Sequence, residues 1–187
     1  LPMEMVYSAG ELNALAERSG NVKVFRCDIT MADDIRGLYW ALQDRPLDLL
    51  IANAGVYLEK GAPTLGSLRF DDWMRTFEVN VCGQVRMVEA FQENLSRASD
   101  PLVVAIGSHM GSIADINTPG SYYYRSSKAA LNAAMRGLAA EVAGHGIGLM
   151  LLHPGGVMTR MGPPHGLSPE ESVGHMYRLV KQFDRSM

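Results

Sequence analysis

The sequence predicts an α/β fold, a doubly wound parallel sheet with helices on both faces, and three observations carry that reading. Apolar or alternating runs of strand length recur along the chain, longer amphipathic stretches of helical period separate them, and small or polar residues follow the strands. Strand, helix, strand, helix in that order builds a parallel sheet through right-handed crossovers. With 187 residues, 47% of them hydrophobic and 20% charged, the chain has material for one domain with a substantial core.

Residues 1–8 carry no strong pattern. Residues 21–27 alternate apolar and polar side chains as a strand does, and they run into Asp28-Ile29-Thr30. Thr30 reads as the N-cap of a helix over 32–43, with Ile35, Leu38, Trp40 and Leu42 near one side. Asp33 and Asp34 stand in its first turn, where the helix dipole favours carboxylates. Residues 47–52, after Pro46, are almost wholly apolar and suit a strand covered on both faces. The alternation continues with a long helix over 71–96, a strand over 102–106, a helix over 123–143 and a strand over 147–152. Ser168-Pro169-Glu170-Glu171 then reads as a capped helix start with proline at the first helical position, the helix extending toward Phe183.

Charge and composition exclude some classes of function. A net charge of -3 without a basic block argues against nucleic acid or an anionic membrane as the main partner, since both select a concentrated positive surface. No apolar stretch has the roughly 18 residues needed to span a bilayer, and no basic-then-apolar leader opens the chain, so it reads as cytoplasmic. Cys27 and Cys82 lack CxxC spacing and a histidine cluster, and they read as buried free thiols with no metal site.

Ligands of open parallel sheets bind beyond the carboxyl ends of the strands, so the residues there are informative. Asn53-Ala54-Gly55 follows the strand at 47–52; its small residues allow a flat ligand close to the backbone, though it equally suits an ordinary turn. Gly107-Ser108 opens the loop after the next strand, where a serine hydroxyl can donate to a substrate carbonyl or simply satisfy local backbone. Tyr124 and Lys128 stand four apart on one helix face. A cation near a phenol lowers its pKa toward the range useful to a general acid or base. His153-Pro154-Gly155-Gly156 ends the last strand, with Thr159 offering a hydroxyl to a ligand amide. His153 itself reads as a packing or capping residue.

In this order, Asp28, Asn53-Ala54-Gly55, Asn80 within Val79-Asn80-Val81, Ser108, Tyr124-x-x-x-Lys128 and Pro154-Gly155-x-Val157-x-Thr159 resemble the motifs of the short-chain dehydrogenase/reductase family. The stretch from Ser108 to Leu131 is most similar to C-factor and sniffer-like carbonyl reductases. The resemblance implies one Rossmann-like NAD(P)-binding domain over residues 1–187, with 160–187 as a substrate lid. It also implies an oxidoreductase that moves a hydride between a nicotinamide and a carbonyl or secondary alcohol. Tyr124 would be the general acid/base, Lys128 would depress its pKa and bind ribose, Ser108 would hold the carbonyl oxygen, and Asn80 would anchor a relay water. Asp28 and Ile29 would contact adenine, Asn53, Ala54 and Gly55 would line the cofactor, and Pro154, Gly155, Val157 and Thr159 would hold the carboxamide end. Ser112 is an alternative to Ser108 as the active serine.

The family's glycine-rich TGxxxGxG segment, which cradles the pyrophosphate, is absent from the chain. Residues 1–8 are therefore read as the end of the family's second strand, and the chain as incomplete at both ends. The residue that selects NAD or NADP would fall in residues 3–8, which leaves the choice open; the subgroup resemblance favours NADP. The alternative function is a signalling or interaction protein that keeps the fold without a competent cofactor site. Outward small residues Ala129, Ala133 and Ala140 on the helix at 123–143 suit close helix approach, which together with the resemblance implies a homodimer or homotetramer.

Overall fold

The computed structural model describes residues 9–59 and 63–184. Its sheet has three parallel strands, β1 (Leu49–Ala52), β2 (Leu102–Ile106) and β3 (Gly148–Leu152), in the order β1-β2-β3. Ala52 pairs with Ala105 and Ala105 with Leu151, so the three strands finish level. That register gathers Asn53, Gly107 and His153 at one end of the sheet.

Helices cover the sheet as the parallel order requires. On one face lie α4 (Gln84–Ser96) and α5 (Tyr122–Ala143), with Val88, Leu95, Leu131 and Met135 packed on Val103 and Ala105. The alanine-rich middle of α5 favours helix, and the helix buries Tyr123, Ser127, Leu131 and Met135 at four-residue spacing. On the other face α6 (Pro169–Lys181) brings Met176 and Val180, followed by Phe183, against Leu102, Val104 and Leu152. The helix begins with the capping box its sequence predicts: the Glu171 N–H donates to Ser168 Oγ at 3.1 Å, and the Ser168 N–H donates to the Glu171 carboxylate at 2.8 Å. The remaining helices are α1 (Gly10–Ser19), α2 (Ala32–Leu42) and α3 (Phe70–Phe77). No helix among the described residues is long and apolar enough to cross a membrane.

Several expectations change. Residues 22–27 form no strand, because a strand exists only through its ladder and none of the described strands pairs with them. β1 is covered on one face only: α6 packs on β2 and β3, leaving Leu49 and Ile51 exposed beside a groove of about 340 Å³. Thr30 is not a helix cap. Its N–H and hydroxyl both donate to Asp28 Oδ1, at 2.9 and 2.7 Å, closing a local turn, and Met31 takes the N-cap position without a side-chain bond. Trp40 points to solvent, whereas Tyr39 turns its ring to within 6.3 Å of the buried Phe91 ring. Cys27 and Cys82 are free, but Cys27 is only half-buried and Cys82 is exposed on the outer side of its helix. The expected strand segment at residues 1–8 lies outside the described residues.

The long helix predicted over 71–96 is interrupted. A π-helical turn, Glu78–Gly83, separates α3 from α4 and carries Asn80. Such insertions concentrate at functional sites because they rotate the helix face that follows.

After β2 a short 3₁₀ turn, His109–Gly111, presses against α5. A Cβ on Gly111 would lie 3.0 Å from the Lys128 carbonyl carbon and oxygen and 2.9 Å from Asn132 Nδ2, so only glycine fits there without backbone movement. Gly111→Ala is therefore expected to destabilise the fold by about 1–3 kcal/mol through overpacking. Gly137→Ala, in the same helix with nothing within 4 Å of the added carbon, should be stabilising by roughly 0.5–1 kcal/mol. Urea unfolding of both variants beside the parent chain checks the pair.

Candidate active site

Two cavities meet at Tyr124. The larger, about 520 Å³, is bordered by Asn53, Ala54, Gly55, Lys128, Pro154, Val157 and Thr159. The smaller, about 340 Å³, is bordered by Tyr57, Ser108, His109, His153, Gly155 and Thr159. The strand ends, α5 and the loop over 154–163 supply their walls. Most residues singled out in the sequence thus converge on one place, with Ser108 on its wall and Ser112 outside both cavities. Asp28 and Ile29 line neither. The Asp28 carboxylate is held below its ordinary range by the hydrogen bonds from Thr30 and, less strongly, by Arg75 with Nη2 at 3.6 Å.

Asn80 is buried with no exposed surface, and its amide joins two elements. Oδ1 accepts from the Val56 N–H at 2.8 Å, while Nδ2 donates to the Val56 carbonyl and to Ser127 Oγ, both at 3.0 Å. Both amide hydrogens are thereby used within the protein. The loop after β1 is stitched to the middle of α5, and a relay water would have to be held by something other than those hydrogens.

Burial pushes the Tyr124 phenol above its ordinary value; a hydrogen bond with Ser108 pulls it back, and Tyr57, with its ring 5.1 Å away, adds a small upward push. The Lys128 ammonium, expected to lower it, lies 5.7 Å from the Tyr124 ring centroid and donates to the Ile106 carbonyl at 2.8 Å. Burial lowers Lys128 itself from 10.5 to about 8. Desolvation dominates, and the net shift of the phenol is upward, opposite to the sequence expectation of a phenol lowered by Lys128.

Thr159 Oγ1 accepts from the Gly162 N–H at 3.1 Å, closing the turn of the loop. The Val157 bridge to Leu167 fastens the far side of that loop. His153 lies on the smaller cavity's wall with its ring 5.3 Å from that of His109. Partial burial, reinforced by His109, lowers its pKa.

The family model described as short chain dehydrogenase matches residues 5–167. The chain belongs to the short-chain dehydrogenase family. Among relatives of this dehydrogenase, the C-signal protein of Myxococcus xanthus is 40% identical over 136 residues, covering 72% of this chain and 81% of that protein. Among solved structures, the NADPH-bound carbonyl reductase from chicken fatty liver is 28% identical with a TM-score of 0.86, covering 95% of this chain and 77% of that one. A carbonyl reductase from Pseudomonas aeruginosa PAO1 in complex with NADP is 30% identical with a TM-score of 0.76, covering 91% and 74%.

Sequence reasoning missed three supporting residues of the dehydrogenase. Gln84 is buried and its amide nitrogen donates to the Ala54 carbonyl. It stands four residues after Asn80, and that spacing was the available signal. Ser172, also buried, donates from Oγ to the Pro154 carbonyl at 2.7 Å and ties α6 to the end of β3. Glu59 is a buried carboxylate whose Oε2 accepts from the Tyr124 N–H at 2.9 Å. Nothing local in the sequence marks Ser172 or Glu59, because their partners are main-chain groups far along the chain.

Lys128 gives a test of the site's desolvation. Its folded pKa of about 8 lies below the unfolded 10.5, so between these values the unfolded chain binds more protons and stability rises with pH. The penalty is fully present below about pH 8 and disappears toward 10.5. Urea unfolding followed across that window should show this rise in the parent chain and lack it in Lys128→Met.

Proposed function

We propose that this dehydrogenase reduces the carbonyl of a small or medium aldehyde or ketone with NAD(P)H, NADP(H) being the favoured cofactor. The observation that carries the reading is the place of Tyr124 on the wall shared by the two cavities, with Lys128 bordering the larger and Ser108 the smaller.

The residues present fit the nicotinamide half of the cofactor. Asn53, Ala54, Gly55, Pro154, Val157 and Thr159 border a cavity of about 520 Å³, and the Lys128 ammonium, spending one N–H on Ile106, keeps two for a ribose hydroxyl. When bound, the reduced nicotinamide supplies a hydride to the carbonyl carbon. Ser108 donates a hydrogen bond to the carbonyl oxygen and favours the negative charge that develops there. Tyr124 passes its phenolic proton to that oxygen, which leaves the alcohol. Asn80 holds the β1 loop and Ser127 in place beneath these groups.

Fluorescence titration with NADPH, then NADH, tests this reading. Saturable binding with carbonyl-dependent oxidation of the cofactor is the expected result, and failure to bind either one overturns the proposal. In the active chain, Tyr124→Phe should lower kcat/KM by roughly 100- to 10,000-fold while NADPH affinity stays close to the parent value.

A further inference from the structure

Helix α5 begins without a local cap. Ser121, at its N-cap position, sits in the left-handed region at φ 53° and makes no side-chain bond to the helix. Its hydroxyl instead shares a 2.7 Å hydrogen bond with the Tyr57 hydroxyl. The first N–H groups of any helix have no carbonyl within it to accept them, and one of these belongs to Tyr124. Its acceptor is Glu59 Oε2 at 2.9 Å, from a residue 65 positions earlier in the chain.

Glu59 is only 5% exposed. A carboxylate so buried is costly unless paired, and here it meets a backbone donor at the positive end of a helix dipole, an arrangement that strengthens the hydrogen bond. It therefore caps the helix in place of the serine. Because the capped group is the main chain of Tyr124, the same bond fixes where the phenol begins. Glu59 stands four residues beyond Gly55 in the segment that follows β1, and Asn80 holds that segment at Val56.

We infer that Glu59 is a positioning residue for Tyr124, clamping the main chain of the general acid to the loop that lines the larger cavity. This rests on the proposed reductase function. The clamp acts through backbone geometry, so it needs an acceptor oxygen more than a charge. Glutamine keeps such an oxygen and alanine does not.

The test compares Glu59→Ala and Glu59→Gln in the full chain by two measurements. The first is amide hydrogen exchange in the opening turn of α5; the second is steady-state kinetics with NADPH and benzaldehyde as the carbonyl probe. In Glu59→Ala, exchange at the opening turn should quicken by at least about tenfold while the rest of α5 keeps its protection. Its kcat should fall by about 10- to 100-fold, with both Michaelis constants changing much less, as misplacement of a reacting group predicts. Glu59→Gln should retain most of the protection and most of the turnover. Unchanged exchange and unchanged kcat in Glu59→Ala would overturn the inference. So would equal losses in both variants with exchange raised evenly across all helices, since that is general support of the fold. A parent chain that binds no cofactor and reduces nothing would overturn the functional reading alone, and the exchange comparison would then decide the clamp.

Discussion

The arrangement at the strand ends depends on one buried amide. Asn80 has no exposed surface, so any of its polar atoms left without a partner costs about 1–3 kcal/mol, and that penalty holds both partners in place. It grips the N–H and the carbonyl of Val56 on one side and the hydroxyl of Ser127 on the other. With Val56 fixed, the loop after β1 can bring Tyr57 against the Tyr124 ring and Glu59 beneath the Tyr124 N–H. With Ser127 fixed, the turn of α5 that carries Tyr124 and Lys128 faces the cavities. Gln84, one helical turn beyond, repeats the device on Ala54.

A second constraint is the dryness of the place so formed. Desolvation is the largest influence on both Tyr124 and Lys128, and it moves each toward its neutral form. Hydrogen bonds made there are stronger because water is excluded. The same desolvation makes the lysine a burden on the folded state. A residue that weakens the fold while serving the chemistry exemplifies the trade between stability and activity seen at functional sites.

Much of this was legible in the sequence. The period of hydrophobic residues foretold β1, β2, β3, α5 and the capped start of α6, because each buries a continuous face or carries its own local signal. Asn53, Ser108, Val157 and Thr159 stood out for a related reason, because ligands of a parallel sheet gather beyond its strand ends and strand ends can be read; Tyr124 and Lys128 stood out by their helical spacing, and all six border the two cavities. What escaped depends on distant partners. Residues 22–27 have the alternation of a strand but no described strand beside them, and Trp40 fits a helical stripe that the fold leaves outside. The π turn within the long helix has no period of its own to betray it. Glu59 and Ser172 act on main-chain groups 65 and 18 residues away, so no short motif could reveal them.

The two cavities share a wall. Gly107, Tyr124, Pro154, Val157, Thr159 and Met161 border both, and the last four belong to the same loop. A change in any residue of this wall therefore reshapes both compartments at once.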